Sequence, residues 1–200
     1  MAANMAIQEA IEENYLENLE IRISPQESPE QLSEAIRWID KKSYRKSQDE
    51  CASFLKPDVD ASSSLKEHPY FYVIHFIKGR KMQWNEDKND LPICRESRKR
   101  ALFEKQAKTL RDLRQRRYYG ADKILGIDAA SNEVNFRPEV FGQVFRYLSG
   151  PSVNYTTPFR HSYKPLPDLR KTYHVGEDFY DIVDGLRAID EAVLFLELGN

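Results

Sequence analysis

Two hundred residues, 40% of them apolar and 31% charged, are enough for one globular domain with a real core. The formal net charge of -2 gives no whole-chain attraction to nucleic acid or membrane, and no apolar run approaches the ~20 residues that would span a bilayer. The start, MAANMAIQEAIEENYLENLE, is acidic and lacks the basic and apolar regions of a signal peptide. Cys51 and Cys94 are too few and too far apart for a CxxC site, so reduced thiols in a cytoplasmic protein are expected.

In chain order, residues 4–18 read as a helix leading into Leu19-Glu20-Ile21-Arg22-Ile23-Ser24-Pro25. That segment alternates apolar and polar residues as a half-buried strand does, and Pro25 stops it. Ser28-Pro29-Glu30-Gln31 supplies an N-cap, a proline at the first helical position and a capping-box partner. Leu32, Ile36 and Ile39 carry that helix toward about Lys42. Residues 43–68 are polar, with a serine run and Pro57, and read as a loop or insertion.

The run Tyr70-Phe71-Tyr72-Val73-Ile74-His75-Phe76-Ile77 is aromatic and β-branched throughout, as in a strand of a parallel sheet buried on both faces. His75 fits either a metal ligand or a core histidine with a hydrogen-bonded ring, and the core reading is the expectation. A polar loop at 78–96 follows. From Arg95 to Arg117, ten Lys and Arg stand against three acids, while Phe103, Ala107, Leu110 and Leu113 recur at helical spacing. The basic face of this helix is expected to be solvated. RNA phosphates contacted through Arg111, Arg114 and Arg117, or an acidic partner, are the alternatives.

Gly120 is expected to end that helix. Lys123 to Asp128 then form a third strand, running into Ala129-Ala130-Ser131-Asn132-Glu133. Pro138 starts a helix with Val140, Phe141, Val144, Phe145 and Leu148 on one face, closed by Gly150-Pro151. Residues 149–168 form a long loop, with His161 read as structural or surface. A fourth strand is expected over 170–175, then His174-Val175-Gly176-Glu177. An amphipathic helix follows, with Ile182, Leu186, Ile189, Val193 and Leu196 on its apolar face. A turn at Gly176 can bring His174 and Glu177 over the strand end, where an imidazole can hold a metal and a carboxyl can pass protons.

Strand and helix alternate four times, which predicts an α/β fold of parallel strands. Three of the quoted segments resemble adenosine deaminases, metal-dependent (β/α)8 barrels: HVGE resembles the family's HAGE, GIDAASNE its GIDLAGDE, and LEIRISP its second strand. The run YHVGEDFYDIVDGLRAIDEA most resembles the divergent deaminases of RADAR-type anti-phage systems. The resemblance implies a partial TIM-barrel-like chain of about four β/α units, with His174 as a metal ligand and Glu177 as the group that protonates the purine. It also implies substrate contacts at Ser131 and Gly176. Ser131 replaces a family glycine, a departure that keeps the backbone N–H but adds a side chain expected to crowd or alter the base pocket. Zinc would activate the attacking water, and the substrate would be adenine in a nucleoside, a nucleotide or RNA. The family's HxH segment, later HG segment and last-strand aspartate have no counterpart here. The chain alone is therefore expected to be metal-free and inactive, completed by missing barrel segments or a partner subunit, and homo-oligomeric when complete. A non-catalytic assembly piece and an RNA-binding module remain the other readings.

Overall fold

The structure, a computed structural model, describes residues 18–51, 70–78, 96–150 and 166–198, together with Ile7 and Glu9, with side chains described up to Lys41 and again from Tyr70. Four strands, β1 (Leu19–Ile23), β2 (Tyr70–Ile77), β3 (Ile124–Ala130) and β4 (Arg170–Lys171), alternate with four helices. The helices are α1 (Pro29–Cys51), α2 (Ser97–Gln115), α3 (Glu139–Ser149) and α4 (Ile182–Leu196). All strand pairs are parallel and their order in the sheet is sequential, β1-β2-β3-β4. This is the expected α/β architecture.

The sequence pattern explains most boundaries. Ser28 Oγ accepts from the Gln31 amide at 3.3 Å, which starts α1 as the capping signal predicts. That helix continues past Lys42 to Cys51, so the first nine residues of the expected loop at 43–68 are helical. Helix α2 stops at Gln115, before Gly120. Arg117 adopts a φ of 53°, which breaks the helix, and Gly120 (φ 85°) serves the turn into β3, where Ile36 leaves no room for a Cβ. Strand β4 is formally two residues long. Its ladder nevertheless runs on, because Thr172 N donates to Ile127 O at 3.0 Å and His174 N to Ala129 O at 3.1 Å. Most of the expected helix at 4–18 and loop at 78–96, residues 151–165 of the last loop, His161 and Cys94 lie outside the described residues.

One apolar cluster joins α1, β2, α2, β3, α3 and the end of α4. At its centre Phe103 stacks on Phe141, with ring centroids 4.7 Å apart. Phe76, Phe145 and Tyr173 meet this pair edge-on.

Helix α4 departs from expectation. Its small residues Gly185, Ala188 and Ala192, with Leu196, form the buried side, and the Phe195 carbonyl accepts from Arg146 on α3. Ile182, Leu186, Ile189 and Val193 are exposed, Leu186 at 63%. Of the predicted apolar face, only Leu196 enters the core. Small side chains let two helices approach closely, which turns the large ones outward.

The amino-terminal ends of β2 and β3 are held by Asp40 of α1. Its Oδ1 accepts from the Tyr70 and Tyr72 hydroxyls at 2.8 and 2.7 Å, and its Oδ2 from Tyr119 and Lys123, both at 2.6 Å. Burial alone would raise this carboxyl. The hydrogen bonds from Lys123 and the three tyrosines outweigh it and hold Asp40 below the usual carboxylate range. Because the folded value lies below the unfolded one, near 3.9, the stability Asp40 confers is complete above that value and is lost as pH falls through the folded one. Asp40→Ala is expected to cost about 3 kcal/mol at neutral pH. In urea unfolding, the gap between variant and wild type should narrow in acid.

Candidate functional site

In a parallel sheet all carboxyl ends point the same way, and here four strand ends deliver polar side chains to one place. Asp128, the fifth residue of β3, is fully buried. Its Oδ2 accepts from Arg22 Nη1 of β1 at 2.7 Å and from His75 Nδ1 of β2 at 2.9 Å, and lies 3.4 Å from His174 Nε2 beyond β4. Among the described residues its Oδ1 has no hydrogen-bond partner. The His75 and His174 rings lie edge-to-face with centroids 6.3 Å apart. His75 is thus hydrogen-bonded as expected, but it stands at the rim of this cluster with 22% of its side chain exposed.

The contacts define the state of His174. Arg22 Nη1 lies 2.6 Å from His174 Nε2, and a guanidinium only donates, so Nε2 accepts and carries no proton. Nδ1 holds the ring proton and faces Glu177 Oε1 at 3.1 Å. A carboxylate behind Nδ1 is how ligating histidines are oriented toward metals, but here the Nε2 lone pair is taken by Arg22. Glu20 hydrogen-bonds Arg22 Nε at 2.7 Å, and this bond together with the Asp128 charge raises the guanidinium's pKa.

The turn after β4 is pinned from below by two buried charges. Glu133 accepts from the Gly176 amide at 2.7 Å and the Glu177 amide at 3.2 Å. Lys78, immediately after β2 and fully buried, donates to the His174 carbonyl at 2.7 Å and lies 4.2 Å from the centre of the Tyr173 ring. Burial pushes its ammonium down to about 8, against the pull of Glu133, Asp128, Glu177 and Asp178. Gly176 has a φ of 82°, and a Cβ there would meet Ile189 Cδ1 at 3.1 Å, so the turn requires glycine.

The residues singled out from sequence come together in part. His174 and Glu177 are in contact as expected. The Gly176 amide is already engaged by Glu133. Ser131, at the end of β3, is exposed with a φ of 91°, left-handed backbone in which a serine is strained. Glu177 is 68% exposed at its side chain, so it stands in solvent and not in an apolar pocket. The sequence alone points to no role for Arg22, Lys78, Asp128 or Glu133. Arg22, Asp128 and Glu133 stand inside the quoted strand-end segments, and Lys78 is a lone cation closing an apolar run.

A catalytic zinc generally has three protein ligands. Here the point where His174 Nε2 and Asp128 Oδ2 converge is held by Arg22, and among the described residues no three His, Cys, Asp or Glu side chains are arranged to hold a metal. As they stand, these residues do not fit a zinc ion.

The basic helix α2 spends much of its charge locally. Arg114 is buried and donates to the carbonyls of Ala121, Ile124 and Pro167, so it is not available to phosphates. Arg111 stacks on Tyr147, and Lys108 and Arg116 pair with Glu104 and Asp112.

No protein-family model matches the chain, and no curated protein matches it either.

Two stability tests follow from the site. Ser131→Gly should relieve left-handed strain and stabilise the fold by about 1 kcal/mol, whereas Ser131→Val should destabilise it, both read by urea unfolding. For Lys78 the folded pKa lies below the unfolded value near 10.4, so between these values the unfolded chain binds more protons and stability rises with pH. From about pH 7.5 to 9.5 the wild type should gain on the order of 1–2 kcal/mol relative to Lys78→Met. Parallel pH profiles for the two proteins would contradict this assignment.

Proposed function

We propose that this chain is a deaminase-like segment of a larger α/β barrel, whose completed form hydrolyses the amino group of adenine in a nucleoside, a nucleotide or RNA. The observation that carries the reading is the meeting of Arg22, His75, Asp128 and His174 from four sequential parallel strands at their carboxyl ends. A strand order without reversal is what consecutive β/α units of a barrel produce, and barrels place their chemistry at that end. The resemblance of the segments holding Arg22, Asp128 and His174 to adenosine deaminases, closest to those of anti-phage systems, names the reaction.

In this reading the rim residues have separate tasks. Glu177 supplies the exchangeable proton, and His174 is held by Glu177 on one side and Arg22 on the other. Glu133 and Lys78 fix the turn that carries both. Zinc belongs to the completed assembly and not to this chain alone, in keeping with a His174 lone pair already taken by Arg22.

Completion is supported by the outer side of α4. Ile182, Val183, Leu186, Ile189, Val193 and Leu194 leave an exposed apolar surface on the order of several hundred Å², the size that marks a protein contact. Among the described residues β4 also has no strand on its far edge. The occupant proposed is the next β/α unit of the barrel, from further polypeptide or a partner subunit, with homo-oligomers as the completed state. A second reading, an assembly piece without catalysis, draws on the same surface.

The test is to incubate the purified chain with adenosine, ATP and adenine-containing RNA while following the His174 ring by NMR. The expected result is no inosine product, with the His174 signals shifted by a purine nucleoside or nucleotide. Strong deamination abolished by Glu177→Gln would overturn the inactivity of the isolated chain. A His174 signal indifferent to every purine would overturn the deaminase-like reading in favour of the assembly piece.

A further inference from the structure

We propose that the groove between α2 and α3 is a docking site for an acidic peptide segment anchored by one branched aliphatic side chain. The inference goes beyond the deaminase reading and does not rest on it, since none of its residues belongs to the strand-end cluster.

The groove has an apolar floor. Ala107 on α2 and Val140 and Val144 on α3 supply it, each no more than 4% exposed. The hollow above them measures about 90 Å³. A cavity of roughly 150 Å³ accommodates benzene, so this one takes the end of a Leu, Ile or Val and not an aromatic ring.

Cations stand along its length. Arg100 donates to the Glu139 carbonyl at 2.9 Å at one end, and Arg111 donates to the Tyr147 carbonyl at 3.1 Å at the other. Lys108 lies on the turns between them, and the one carboxylate of the lining, Glu104, is already paired with it at 2.5 Å. Arg111 has no carboxylate partner among the described residues. The sequence places ten Lys and Arg against three acids over 95–117, so the whole helix favours an anion.

Two features choose a peptide over a nucleic acid. The half-exposed Tyr147 ring is the one platform here on which a base could stack, and the Arg111 guanidinium already covers it, 4.6 Å from its centre. The hollow, in turn, is sized for an aliphatic group. Arg100 and Arg111 are 11 positions apart on one helix, roughly 16 Å, which about five extended residues span. The matching segment therefore carries its aliphatic residue at the centre and acids about two residues to either side.

The experiment follows the fluorescence anisotropy of the labelled peptide DDELEDD on addition of the full chain in low salt, beside the peptides DDESEDD and NNQLQNN. The leucine peptide should bind. Exchange of its leucine for serine should weaken binding about tenfold, the neutral peptide should not bind, and raising the salt about fourfold should weaken the complex. Lys108→Glu and Arg111→Glu should each weaken it at least about fivefold, whereas Arg187→Glu on α4 should leave it unchanged.

No binding of the leucine peptide overturns the proposal. So does equal binding of the serine peptide, or unchanged binding by the Lys108→Glu and Arg111→Glu chains. An oligouridine RNA that binds more tightly than the peptide, and is lost in those two variants, overturns it in favour of RNA. Should Arg111→Glu fail to fold, Lys108→Glu decides alone, because that side chain is 60% exposed.

Discussion

Asp128 has no access to solvent, and a carboxylate so placed must find its donors within the protein. It draws them from two other strand ends, Arg22 of β1 and His75 of β2, and Arg22 in turn joins it to His174 beyond β4. Arg22 and His174 are each fixed by contacts of their own. Glu20 holds Arg22, Glu177 holds the His174 ring, and Lys78 holds the His174 backbone. The buried charge thus ties together segments more than a hundred residues apart, and the rim of the sheet takes its shape from that requirement.

The opposite end of the sheet solves the same problem in another way. Asp40 is also buried, but its two oxygens are saturated by three tyrosine hydroxyls and Lys123. A satisfied carboxylate rigidifies and offers nothing to a ligand. At the carboxyl ends, Asp128 keeps one oxygen without a partner among the described residues, and its neighbours remain partly exposed. One pole stabilises the fold and the other holds unspent chemistry. In α/β sheets ligands bind outside the carboxyl ends of the strands, and Asp40 and Asp128 divide accordingly.

Local pattern made the strands legible, because residues 70–77 are apolar at every position but His75, and such a run suits a parallel sheet. With parallel strands, Ser131 and His174 had to share one rim. What local pattern left out were the contacts that hold the rim. Glu133 meets Gly176 across 43 residues, and Lys78 meets the His174 carbonyl across 96, distances at which periodicity carries no information. Helix α4 is instructive for a different reason. Its repeat of Ile, Leu and Val correctly marked a helix, but periodicity weighs hydrophobicity and not fit. Gly185, which packs against Phe179, and Ala188 and Ala192 are the buried residues, so the small face won the core.

That outcome links the exposed stripe of α4 to the turn holding His174 and Glu177. Ile189 belongs to the stripe, and its side chain packs where a Cβ on Gly176 would sit, so the stripe begins at the strand-end turn itself. On the proposed reading, a β/α unit laid over Ile182, Leu186, Ile189 and Val193 also closes over Glu177, the next residue along. A carboxyl moved from water into an apolar surround has its pKa raised, the condition that proton donation to a purine requires. The open rim and the exposed stripe are then one deficiency. On that reading, the same covering unit that removes apolar surface from water would also take Glu177 out of solvent.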